Sequence, residues 1–354
     1  MTASHLPQPA REPHIWSSVL RGIKMLVAEH GIDADGLLNA NGIVAEDLHN
    51  PHGEVPLKKY LEFLEAAARE AKDPLLGIRL ACSAGPELLG AVGLLFLSSR
   101  TLADAMHHLY RYVSLLQGAT HVQLAQNAEE IAFSYQLCQA PDIARRQDVE
   151  FSLAFTCRLI QIYSGREVKM TAVNFRHSAA APKADYQRLL KAPVFFEQEA
   201  NSITFPAAAG AIQGKILDTD LSDVIKGFLD EEMARNSRTQ TFSDQVSRLL
   251  MESPAAPQTP AAEVARRLGV SEATFYRRLK TERTSYGAIA AAQNFDLAKI
   301  YLSESRLPIT QIAHLVGFAE SASFTRAFVR WTGGTTPSQF RKSSLRPENL
   351  TQGR

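Results

Sequence analysis

Ala265-Arg-Arg-Leu-Gly269-Val-Ser271, followed by Phe275-Tyr-Arg277-Arg-Leu279, recurs near the end of the chain as Ala313-His-Leu-Val-Gly317-Phe with Ser321-Ala-Ser-Phe324-Thr-Arg326-Ala-Phe328. Ala265 to Ala313 and Gly269 to Gly317 are 48 positions apart, whereas Phe275 to Phe324, Arg277 to Arg326 and Leu279 to Phe328 are 49 apart. The added residue falls between the glycine and the phenylalanine, where a turn absorbs it. A repeat of this period means that one supersecondary unit is used twice.

Each position has a physical reason. Small Ala265 suits a close crossing of two helices. Gly269, four residues on, ends the first helix and tolerates positive φ. Ser271 offers an oxygen to cap the next helix. Phe275 and Leu279 share one helical face and pack inward, which leaves Thr274, Tyr276, Arg277 and Lys280 to the outside or flanks. The second copy predicts the same roles for Ala313, Gly317, Ser321, Phe324 and Phe328. Thr259-Pro260 and Pro308 supply the start signals. Ordinary helical hairpins could show any one of these features. Their repetition, with arginine in the same slot, points to two helix-turn-helix units and hence to double-stranded DNA. Between them, Tyr286 to Ser303 is alanine-rich, with Ile289, Phe295, Leu297, Ile300 and Tyr301 at helical spacing. A helix of that length spans about 27 Å, close to the roughly 34 Å between successive major-groove faces.

With these motifs, residues 259–341 resemble the DNA-binding domain of the AraC/XylS family of bacterial transcription regulators. The resemblance rests on Ile309-Thr-Gln-Ile-Ala-His-Leu-Val-Gly-Phe318, Ser321 to Phe328, Arg330-Trp-Thr-Gly333, and Thr336-Pro337 with Phe340-Arg341. Asn294 stands where the family usually has arginine, and one residue is added within Gly333-Gly334-Thr335-Thr336, which blurs the start of the last helix. The resemblance implies that Ala273, Tyr276 and Arg277 on the first recognition helix reach base edges, as do Ser321, Ala322 and Arg326 on the second. Arginine can pair bidentately with guanine, and alanine or a tyrosine ring can touch thymine methyls. Arg278, Lys280, Arg330 and Lys342 are read as phosphate contacts, which position without specifying. Recruitment of RNA polymerase is implied by the family and by no residue here.

Charge is distributed unevenly. Residues 239–354 hold 15 Lys+Arg against 9 Asp+Glu, a net of +6, while the rest holds 23 against 28, a net of −5. A basic end on an acidic remainder fits a DNA-binding module joined to a sensing or assembly module. Cys82, Cys138 and Cys157 show no metal-ligand or disulfide spacing, and reduced, buried thiols in a cytoplasmic protein are expected. The first 13 residues read as a disordered tail without a signal-peptide core. The longest apolar run, Leu88 to Leu97, is too short to span a bilayer and reads as a buried helix. No membrane, metal or cofactor is expected.

Helices are expected over His14–His30, Pro56–Lys72, Pro86–Ser98 and Thr101–Gln117. A hairpin of His121–Ala125 and Glu130–Leu137 follows, then a long amphipathic helix over Asp142–Gly165. A strand at Lys169–Phe175, a short helix at Asp185–Leu190 and a strand at Ser202–Phe205 complete the pattern. Helices first and strands later suggest an α+β domain with a small mixed or antiparallel sheet. Leu102-Ala-Asp-Ala105 with Leu109-Tyr-Arg-Tyr112, Val173-Asn-Phe-Arg-His177, Pro193-Val-Phe-Phe196 and Asn201-Ser-Ile-Thr-Phe205 resemble the effector-sensing domain of ornithine-utilisation-type AraC regulators, over roughly residues 20–210. That domain carries an arabinose-binding label, which says nothing about arabinose here. Leu217 to Met233 reads as an amphipathic helix leading to a linker near Arg235–Gln240; such a helix can join domains, mediate a homodimer, or simply belong to its domain.

The effector is unidentified. His107, His108, Tyr110, Tyr112, Tyr135, Arg145, Arg146, Arg176 and His177 are polar or aromatic, but each reads more readily as core edge or surface. No nucleophile elbow, phosphate loop or zinc-protease motif supports an enzyme. The expected architecture is an α+β N-terminal domain followed by an all-α C-terminal domain with two helix-turn-helix units joined by a long helix. Its parts are a tail at 1–13, a sensing or assembly domain at 14–216, a linker helix and hinge at 217–240, the DNA-binding domain at 241–345 and a tail at 346–354. The expected function is sequence-specific transcription regulation, as an effector-responsive activator. A repressor, a non-specific nucleoid protein and an enzyme fusion are the alternatives.

Overall fold

The computed structural model describes residues 13–50, 53–137, 144–215, 219–239, 241–252 and 259–344. Cys138, residues 1–12 of the tail expected at 1–13, and the tail expected at 346–354 lie outside the described residues, whereas Pro13 is described and its carbonyl accepts from the Leu57 amide at 2.8 Å. The chain divides into two compact units, one holding the described residues up to 236 and the other those from 237.

The first unit opens with a strand where a helix was expected. β1 (His14–Trp16) pairs antiparallel with β2 (Glu54–Pro56), and α1 (Ser17–Glu29) begins only after it. Ile15 and Val55 face each other in the register and both sink into the core. Three-residue strands are too short to show alternation, so tertiary pairing overrides the local pattern. α2 (Ala34–Ala40), capped by Asp33, separates them and was not anticipated. α3 (Leu57–Glu70) and α4 (Leu76–Ser83) follow. α4 too was missed; it packs on the later helix α7, and Gly77 there comes so close to the Gln147 carbonyl that no Cβ would fit.

The helix expected over Pro86–Ser98 is split. A 3-10 turn, Pro86–Leu89, ends at Gly90 with φ +54°, and α5 (Ala91–Ser98) continues in a new direction. α6 (Leu102–Leu116) starts from a reciprocal Thr101–Asp104 capping box. The hairpin is present as β3 (Thr120–Gln126) and β4 (Glu130–Leu137). Next come α7 (Arg146–Ser164), β5 (Ala172–Asn174), α8 (Lys183–Leu190), β6 (Val194–Phe195) and β7 (Ser202–Pro206). The sheet order is β3-β4-β7-β5-β6, antiparallel except for the β5–β6 pair. Ile131, Phe133, Tyr135 and Leu137 alternate inward along β4. α9 (Thr219–Thr239) closes the list, with Arg111 and Tyr112 of α6 both reaching Asp230 Oδ1, at 2.8 and 2.7 Å. The stretch where a hinge was expected is therefore helical through Thr239.

α7 is not amphipathic. It packs on α3 and α4 as well as on β4 and β7, and Gln147, Asp148 and Glu150 are buried with its apolar residues. Burying these polar groups is tolerable only because they find partners. Tyr135 Oη donates to Asp148 Oδ2 at 2.7 Å, and Gln147 Nε2 donates to the Pro74 carbonyl at 3.0 Å. Tyr186 Oη donates to Glu150 Oε1 at 2.8 Å, with His177 Nε2 3.5 Å from the same oxygen. Desolvation pushes the Glu150 carboxyl up to about 8, against the opposing pull of Arg146. It also pushes His177 down to about 4. At neutral pH this is a contact between a protonated acid and a neutral ring rather than an ion pair. Cys157 is buried, whereas Cys82 is exposed, against expectation, on the outer side of α4.

No described helix is long and apolar enough to cross a membrane.

Because Glu150 binds its proton more tightly in the folded chain, its stabilising contribution is full below its ordinary value of 4.5 and is lost as pH rises through about 8. The groups facing it are Arg146, Tyr186 and His177, with Glu65 and Asp73 acting at longer range. Unfolding in urea, followed by Trp16 fluorescence in a Trp331→Phe background, should show the stability advantage over Glu150→Gln shrinking by on the order of a few kcal/mol from about pH 5 to about pH 8; His177, whose depressed value acts in the opposite sense, is common to both proteins. Parallel pH profiles would show that Glu150 is not held protonated.

Candidate nucleic-acid interface

The second unit begins with α10 (Phe242–Glu252), an element the repeat did not reveal. The pattern Thr241-Phe-Ser-Asp244 marks its start: Thr241 and Asp244 cap each other, at 3.0 and 3.1 Å. Glu282 adds a second cap, accepting from the Phe242 and Ser243 amides at 2.7 and 2.8 Å.

The repeat then follows as α11 (Ala261–Arg267) and α12 (Glu272–Thr281), the connector α13 (Tyr286–Glu304), α14 (Ile309–Leu315) and α15 (Ser321–Thr332), with α16 (Pro337–Ser344) last. The two inner turns are the same object. In the first, Gly269 has φ +67°, its amide reaches the Arg266 carbonyl at 3.1 Å, and Val270 N reaches Ala265 O at 3.0 Å. In the second, Gly317 has φ +87°, with Gly317 N to His314 O at 3.0 Å and Phe318 N to Ala313 O at 2.8 Å. This is the Schellman arrangement, which closes a helix through a left-handed residue. Ala265 and Ala313 are buried under the crossing.

Each copy has its own core. Val264, Ala265, Phe275 and Leu279 join Phe242, Val246 and Leu250 of α10 and Ile289 of α13. Ile312, Ala313, Val316, Phe324 and Phe328 join Ala298, Tyr301 and Leu302 from the other end of α13. The second core is the more aromatic, with Phe328 5.6 Å from Phe295 and 5.5 Å from Phe340.

The copies differ at the helix start. Ser271 Oγ accepts from the Thr274 amide at 3.3 Å and caps α12 as expected. Ser321 does not cap α15; it is the first helical residue, and Glu320 occupies the cap position without a side-chain hydrogen bond. The 49-residue offset puts Glu320, not Ser321, in the slot of Ser271. The last helix starts cleanly despite the added residue. Gly333 and Gly334 take φ +68° and +132°, and Thr336 and Gln339 cap each other ahead of Pro337.

Ala273, Tyr276, Arg277, Arg278 and Lys280 are exposed on α12, and Ala322, Arg326 and Arg330 on α15. Ser321 is half-buried and Lys342 exposed. None of these cations is ion-paired among the described residues, although two have neutral partners. The Arg278 guanidinium lies 5.2 Å from the centre of the Phe242 ring, and Arg326 Nη2 donates to Ser323 Oγ at 3.0 Å. The arginines of α11 are different. Arg266 and Arg267 both bond Glu263, at 2.7 and 3.0 Å, and hold its carboxyl down to about 2. Asn294 is half-buried on α13.

Residues 31–211 match the family described as the arabinose-binding N-terminal domain of the AraC transcription regulator, and residues 264–343 match a helix-turn-helix domain. The chain belongs to the AraC family of transcription regulators. It is 24% identical to the HTH-type transcriptional regulator VirS of Mycobacterium tuberculosis, over 94% of this chain and 96% of that one. It is 25% identical to the ornithine utilization regulator of Pseudomonas aeruginosa, over 90% and 93%. The solved transcriptional regulator CdpR from Pseudomonas aeruginosa covers 92% of this chain and 98% of its own, at 18% identity and a TM-score of 0.45. The chain is a DNA-binding transcription regulator.

The unequal caps give a measurable difference. Ser271→Ala should lower the protection of α12 amides in native-state hydrogen exchange by about 1 kcal/mol, whereas Glu320→Ala should leave α15 nearly unchanged. Equal losses in both helices would contradict the assigned cap positions.

Proposed function

We propose that this regulator is a cytoplasmic, sequence-specific activator in which residues 14–216 sense a small molecule, 217–240 link, and 241–345 read DNA through two helix-turn-helix units. The observation that carries the DNA-reading part is the equivalence of Arg277 and Arg326: they hold the same slot of each copy, both exposed and neither ion-paired among the described residues. In this reading Ala273, Tyr276 and Arg277 meet one half-site, and Ser321, Ala322 and Arg326 the next. Arg278, Lys280, Arg330 and Lys342 rest on phosphates. Half-burial leaves Ser321 the least reach of the six base readers.

The N-terminal unit acts as effector sensor rather than as an enzyme, and recruitment of RNA polymerase follows the family pattern. Leu221, Val224 and Phe228 form an exposed apolar stripe on α9 at helical spacing, which supports a homodimer.

Arg326→Ala should cost about 1–3 kcal/mol on the specific site and relax preference at one base pair, read by binding to a library of sites. Equal loss on every sequence would remove its base-reading role and favour non-specific binding.

Lys342→Ala should weaken all sequences alike and reduce the slope of log affinity against log salt by about one unit. An unchanged slope would remove its phosphate contact.

A further inference from the structure

A cavity of about 60 Å³ lies inside the N-terminal unit, reached by side chains of α1, α3, α6, β4 and α7. A single water needs about 10–15 Å³, so the space takes about four to six water-sized groups. Most of its wall is hydrocarbon, including Leu109, Val113 and Phe155. Cavities that stay empty are apolar, whereas a polar lining suits an occupant that hydrogen-bonds. Here Tyr60, Gln117, Tyr135 and Thr156 also line the space.

The protons of Gln117, Tyr135 and Thr156 are already committed. Tyr135 Oη donates to Asp148 Oδ2 at 2.7 Å, and burial together with the nearby Asp148 carboxylate keeps the Tyr60 hydroxyl protonated. Gln117 Nε2 reaches Tyr135 Oη at 3.1 Å and Asp148 Oδ1 at 3.3 Å. Thr156 Oγ1 donates to the Ser152 carbonyl at 2.8 Å. Tyr135 and Thr156 keep lone pairs to offer but have no free proton, and the Tyr60 proton is drawn towards the Asp148 carboxylate. Asp148, itself buried, adds negative charge behind them; desolvation pushes its carboxyl up to about 6, so it is mainly ionised at neutral pH.

We propose that this cavity is the effector site, and that its ligand is a compact, mostly apolar molecule with a single hydrogen-bond-donating head, an alcohol or a primary amine, seated against Tyr60 and Tyr135. A carboxylate head would meet mainly acceptors, beside a buried carboxylate. The inference rests on the reading of the N-terminal unit as a sensor and adds where it binds and what chemistry it accepts.

The test is a ligand-observed NMR titration of the full chain with butan-1-ol, n-butylamine and butyrate. Val113→Phe fills the cavity, and Tyr60→Phe removes one acceptor oxygen. Butan-1-ol and n-butylamine should bind, with butyrate at least about ten-fold weaker. Val113→Phe should abolish binding, and Tyr60→Phe should weaken both donors by about ten-fold. Circular dichroism and retained DNA binding establish that each variant folds. If one does not, the other still decides. No binding by any probe, a preference for butyrate, or undiminished binding by a folded variant would overturn the proposal. The sensor reading is separated from it by adding a metabolite extract to the wild-type chain on DNA. A shift in DNA affinity that survives Val113→Phe moves the effector site elsewhere, whereas no shift at all removes the sensor reading itself.

Discussion

One helix completes two cores. α13 contributes Ile289 to the first helix-turn-helix unit and Ala298, Tyr301 and Leu302 to the second. α10 packs on it near one end and α16 near the other. Neither unit is closed without it, so neither can rotate about it without opening its own interior. A helix rises about 1.5 Å per residue, and that rise sets the offset between the two copies. A flexible tether would leave two readers with uncorrelated positions, and each binding event would then bear the cost of aligning them.

The C-terminal half is legible because its positions are dictated twice by sterics. Gly269 and Gly317 must turn the chain through a left-handed residue, and Ala265 and Ala313 must let two helices cross. Where the copies differ, legibility fails. Residue type suggests Ser321 as the cap and counting forward from Gly317 gives Ala319, whereas counting back from Phe324 gives Glu320, and the structure follows the phenylalanine, which is anchored in the core. α10 escaped notice because its capping box lies outside the repeat. The exposed cations could be placed on their helices from spacing alone. The ring beneath Arg278 belongs to α10 and could not be foreseen.

The N-terminal unit was harder to read for a different reason. Its short elements, β1, β2, α2 and α4, are held by contacts distant in sequence and leave little periodic trace. α7 misleads more deeply. Its acidic residues suggest a wet face, yet Asp148 and Glu150 are buried among tyrosines and a histidine. Sequence reports the presence of a carboxyl group but not the proton or donors that let it leave water. Tyr135 appeared among many polar candidates, and only the fold brings it together with Tyr60, Gln117 and Asp148.

Glu263 has an effect out of proportion to its size. By gripping both Arg266 and Arg267, one carboxylate offsets part of the positive field of α11, beside the helix whose own cations stay unmatched. Charge that attracts any phosphate backbone also traps a protein on irrelevant DNA. A carboxylate that matches two arginines on α11 lowers this sequence-blind pull there and leaves the cations of α12 at full strength.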